Sequence, residues 1–73
     1  MTAHLSYYVD SIRDNLRLDP SEEREVIAEL ETHIEDRLRE LREVGLSEEE
    51  AANRCVGLLG SAKVVARQIY EAH

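Results

Sequence analysis

The stretch from Asp19 to Val44 reads DPSEEREVIAELETHIEDRLRELREV. Ile27, Leu30, Ile34, Leu38 and Leu41 recur every three or four residues, and Glu, Asp and Arg fill most positions between them. That period places the apolar side chains on one stripe of an α-helix. Asp19 is suited to cap it and Pro20 to its first turn, where a missing N–H costs nothing, and Glu22 can complete a capping box. Gly45 supplies the left-handed residue that ends a helix. At about 1.5 Å of rise per residue the element would be roughly 37 Å long, more than a small core requires, so part of it is expected to present surface to something else.

Working toward the N-terminus, Leu5, Tyr8, Val9, Ile12 and Leu16 have the spacing of a first helix, with Thr2 as its cap and Leu18-Asp19-Pro20 as its break. Proline disfavours helical geometry at the residue before it. Tyr7 and Tyr8 are adjacent, so one points inward while the other flanks the helix and is available as an interface contact. Toward the C-terminus, Ser47 with Glu50 three residues on repeats the capping-box pattern. The third helix carries Ala51, Ala52, Cys55, Leu58 and Leu59 on its apolar side, weakens at Gly57 and stops near Gly60. Ser61 can cap a fourth, with Val65, Ile69 and Ala72 on one face and Lys63, Arg67 and Gln68 outside it. Nothing reads as a strand.

The expectation is therefore an all-α fold: a small bundle of three to four helices with one long central helix, forming one domain over residues 1–73. The helices are placed at about 3–17, 20–44, 48–58 and 62–72. Every connection is short, which favours helices folding back on their neighbours. On the exposed side of the long helix, Glu35 with Arg39 and Arg39 with Glu43 are at four-residue spacing, each pair contributing about 0.3 kcal/mol. Glu25 with Glu29 and Asp36 with Glu40 are like-charge pairs at the same spacing, so the excess of acid does not serve helix stability.

A chain of 73 residues buries only about 60% of the surface its unfolded form exposes, which leaves little room for a catalytic cleft. Without Trp or Phe, the core falls to Leu, Ile, Val and Ala. A net charge of −7 and a pI near 4.8 oppose contact with phosphate backbones, and no basic patch is visible along the chain, so nucleic acid is not an expected partner. A single cysteine rules out an intrachain disulfide and fits a cytoplasmic setting. No signal peptide is visible, and the least polar stretch, Cys55 to Ala66, is too short to span a bilayer. The pattern is still helical from Gln68 to His73, as in a segment of a longer protein.

Glu29, His33 and Asp36 sit at offsets of four and three on one side of the long helix, a spacing that can present ligands to a divalent metal. No second helix is assigned a ligand to complete the set. The competing reading makes His33 a histidine at the edge of the apolar stripe that hydrogen-bonds a neighbour. Cys55, among alanines and leucines, reads as a small buried apolar residue. His4 and His73 have no evident partners. There is no Ser-His-Asp or Cys-His arrangement and no glycine-rich phosphate loop, so no catalytic residue and no cofactor are assigned and the chain is read as no enzyme.

Three segments together resemble a known family. They are the run from Glu22 to Asp36, with Glu29-Leu30-Glu31-Thr32-His33-Ile34 inside it, then Gly45-Leu46-Ser47-Glu48-Glu49-Glu50-Ala51, then Leu59-Gly60 followed by Val64-Val65-Ala66. The HAAS-type helical domains, found also as permease prefix domains, show E-L-x-x-H-[LI], G-[LKR]-S-x-E-E-A and L-G-[DS]-P-x-x-[LIV]-A in this order. The resemblance covers about Leu16 to Ile69. It departs at Ser61-Ala62, where the family usually has Asp-Pro, so the start of the last helix is less firmly specified. It implies a small cytoplasmic all-α module, commonly placed before membrane-spanning segments of sensor-like proteins or permeases and often encoded near PadR-like transcription regulators. The implied role is signalling or regulatory contact. The expected partner is another protein or a second copy in a homodimer, and the natural protein is open to continuing into a membrane span. The alternative is an ion- or metabolite-sensing module built on Glu29, His33 and Asp36.

Overall fold

A computed structural model of the chain describes residues 2–72. It contains four helices, α1 (Ala3–Asn15), α2 (Pro20–Glu43), α3 (Glu48–Leu59) and α4 (Ala62–Ala72), and no strand among the described residues. His73 lies outside them.

Each boundary follows from local chemistry. The Thr2 hydroxyl accepts a hydrogen bond from the Leu5 N–H at 3.2 Å and opens α1. That helix ends at Asn15, two residues short of the expected end, because Leu16 already has extended backbone (φ −76°, ψ 146°). Asp19 Oδ1 accepts from the N–H groups of Ser21 at 3.1 Å and Glu22 at 3.0 Å, with Pro20 in the first turn. The bond from the Glu22 backbone, and then others at this cap, hold the Asp19 carboxyl below its ordinary range. At the far end the Gly45 N–H donates to the Arg42 carbonyl at 3.0 Å and the Leu46 N–H to the Leu41 carbonyl at 3.2 Å, a Schellman closure with Gly45 at φ 103°. Ser47 and Glu50 form a reciprocal capping box, both bonds at 3.1 Å. The Ser61 hydroxyl accepts from the Val64 N–H at 3.3 Å and opens α4.

Helix α2 runs unbroken for 24 residues, a rod of about 36 Å that matches the 38 Å long axis of the molecule. It folds back on α3, while α1 packs chiefly on α4. Only α1 packs substantially on all three other helices, and it supplies Leu5 and Ile12, both 0% exposed, to the centre. Around them lie Tyr8, Val9, Ile27, Ile34, Ala52, Cys55, Val65 and Ala66, with Leu30, Leu38 and Leu41 packed against the margin. Tyr8 is the inward tyrosine: its hydroxyl donates to the Gly60 carbonyl at 2.5 Å, tying α1 to the α3–α4 turn. Tyr7 is exposed.

The ion pairs on α2 differ from the expected ones. Arg39 meets Asp36 at 2.6 Å and Arg37 meets Glu40 at 4.0 Å, both three residues apart, and among the described residues Glu35 and Glu43 are in no ion pair. The closer acid on the preceding turn takes Arg39 from both four-residue partners. These pairs are solvent-exposed and contribute little to stability. A further pair, Arg13 with Glu23 at 3.8 Å, links α1 to α2.

Gly57 lies inside α3 with nothing within 4 Å of the position a Cβ would occupy. Gly57→Ala is therefore expected to raise stability by about 0.5–1 kcal/mol, since alanine loses less backbone freedom on folding. Urea unfolding checks this, and a lowered midpoint at unchanged slope would contradict it.

Candidate interaction surface

The two helices of the α2–α3 hairpin are joined by the tight Gly45 closure, and near that turn the small side chains Ala51 and Ala52 are fully buried. Further along α3 the chain turns at Gly60 and α4 departs across α1, leaving the far end of α3 covered on one side only. A groove of about 280 Å³ results, lined by Leu30, His33, Ile34 and Arg37 of α2 and by Cys55, Leu58 and Leu59 of α3. Ile34 and Cys55 are 2% exposed and form its floor.

Leu58 and Leu59 correct the sequence reading. Both were expected on the buried side of α3 with Ala51, Ala52 and Cys55, yet they are 64% and 36% exposed. Their position on the helix is apolar by periodicity, but no fourth helix reaches it. Burial along α3 is set by where α4 goes, which the repeat within α3 does not encode.

Glu29 and His33 are exposed, His33 at the groove rim, and Asp36 is held by Arg39. Among the described residues no group of three or more His, Cys, Asp or Glu side chains is arranged to hold a metal ion. The expected hydrogen bond from His33 to a neighbour does not form, because the side chain faces open solvent at the rim. Burial pushes the Cys55 thiol up from its ordinary value, with the positive charge of Arg37 acting the other way. A thiol so placed stays protonated at neutral pH and is a poor nucleophile. His33 and Cys55 line one groove without a hydrogen bond between them. No helix among the described residues is long and apolar enough to cross a membrane.

A family model described as HAAS matches residues 8–68, close to the span Leu16–Ile69 on which the resemblance rests. No curated protein and no solved structure gives a significant match.

Proposed function

The chain belongs to the HAAS family, whose small domains are associated with PadR-like regulators, and from that premise we propose that it is a non-catalytic regulatory module acting in the cytoplasm by docking a partner protein on the α2–α3 groove. The observation that carries this reading is Leu58, 64% exposed at the edge of an apolar cleft. The cleft measures about 280 Å³. It suits one or two apolar side chains from a partner helix, with His33 and Arg37 as the polar rim that fixes orientation. The sensing alternative through Glu29, His33 and Asp36 has no comparable support, because Asp36 is already engaged by Arg39.

The test is isothermal titration of the chain with a PadR-like regulator encoded in the same genome. The wild-type chain is expected to bind, and Leu58→Glu to bind at least about tenfold more weakly with unchanged helix content, since a charge is placed where an apolar side chain must sit. Equal affinity for the two, or no binding by the wild type, would overturn the reading. Sedimentation of the chain alone separates a second copy from a different partner: a dimer lost in Leu58→Glu would make the groove a self-association surface instead.

A further inference from the structure

A second groove lies on the α1–α4 side of the molecule. Arg17, in the connection after α1, joins Lys63, Val64, Arg67 and Tyr70 of α4 around an open cleft of about 600 Å³ with Ser61 at one end. Among the described residues no carboxylate lines it. The four ion pairs among the described residues use Arg13, Arg37 and Arg39, so the three cations of this groove are in none. Charge is segregated along the chain as well: residues 51–70 contain no Asp or Glu, although the whole has 16. The sequence reading found no basic patch because Arg17 and the Lys63–Arg67 pair are far apart in the chain and meet only when α4 packs on α1.

We propose that this groove docks an acidic, amphipathic segment of a partner protein, its carboxylates meeting Arg17, Lys63 and Arg67 and its apolar side chains resting on Val64 and Tyr70. Val64 and Tyr70 are 37% and 55% exposed and line the same cleft as the cations. Along α4 the series Lys63, Val64, Arg67, Tyr70 extends over about 10 Å of helix rise, so a single phosphate group would engage only part of it. Guanidinium groups pair with carboxylates in a planar, two-bond fashion that suits such a segment. A flat anionic bilayer or a nucleic acid would feel the net charge of −7 as repulsion, whereas a short segment entering the groove is close to its three cations and screened from the rest. The surface is distinct from the α2–α3 groove and stands without it.

Fluorescence anisotropy with a short fluorescein-labelled peptide that alternates glutamate pairs with leucine and phenylalanine tests the proposal on the full chain. Binding is expected at low salt, weakening as salt rises, and about tenfold or more weaker for Arg17→Glu with Arg67→Glu. The double variant Arg17→Gln with Arg67→Gln, which removes charge without reversing it, is expected to fall between. Leu58→Glu should bind the peptide as the wild type does, which separates failure here from failure of the other groove. No binding, or equal binding by the charge-reversed variant, overturns the proposal. Displacement of the peptide by inorganic phosphate or by phosphatidylserine vesicles would overturn it in favour of a free anion or a lipid headgroup. Self-association abolished by the double variant would overturn it in favour of a second copy.

Discussion

Truncating Ile12 to alanine is expected to lower the stability of the domain by about 2–5 kcal/mol, the range for removing a buried aliphatic side chain and leaving a cavity. Ile12 is 0% exposed and sits on α1, the helix that packs substantially on all three others. Its loss is therefore expected to loosen the helix on which the other three pack. A domain of 73 residues has a total stability on the order of 4–11 kcal/mol, so the variant forfeits a large share of it. Urea unfolding followed by circular dichroism measures the change. A loss below about 1 kcal/mol would mean that α1 is not at the centre of the core.

Replacing Gly60 by alanine is expected to cost about 1–3 kcal/mol. At φ 94° and ψ −169° the residue occupies backbone space that is essentially restricted to glycine. Nothing lies within 4 Å of the added Cβ, so the cost is conformational and cannot be relieved by moving a neighbour. The position also matters for packing, since its carbonyl accepts the Tyr8 hydroxyl and so helps to hold α4 against α1. The same substitution at Gly57, three residues earlier and inside α3, has the opposite expected sign. Thermal melts of the two variants side by side check both, and a Gly60→Ala protein as stable as the wild type would show that the α3–α4 turn takes another conformation.

What could be read from the sequence was what local chemistry decides. Thr2, Asp19, Ser47 and Ser61 cap the helices whose starts they mark, and Gly45 and Gly60 close the two helices they follow. The row of Ile and Leu on α2 predicted an unbroken rod because helical period alone determines it. What escaped depends on the third dimension. Leu58 and Leu59 share the apolar period of α3, but α4 crosses α1 and leaves them uncovered. Arg39 had two acids at four-residue spacing and bonded a third, Asp36, at three. That choice also gives Asp36 of the Glu29, His33, Asp36 set a partner on its own helix, which the spacing on one helix face did not reveal. The basic groove was invisible for the same reason, since Arg17 and Arg67 are brought together only by the packing of α4 on α1.

The central claim is that the partner sits between α2 and α3, and amide resonances of the isotope-labelled chain, followed while the PadR-like regulator is titrated in, test it most directly. The expected result is shifts or broadening concentrated at Leu30, His33, Arg37, Leu58 and Leu59, the residues around the groove. Perturbations elsewhere with these five unmoved would contradict it.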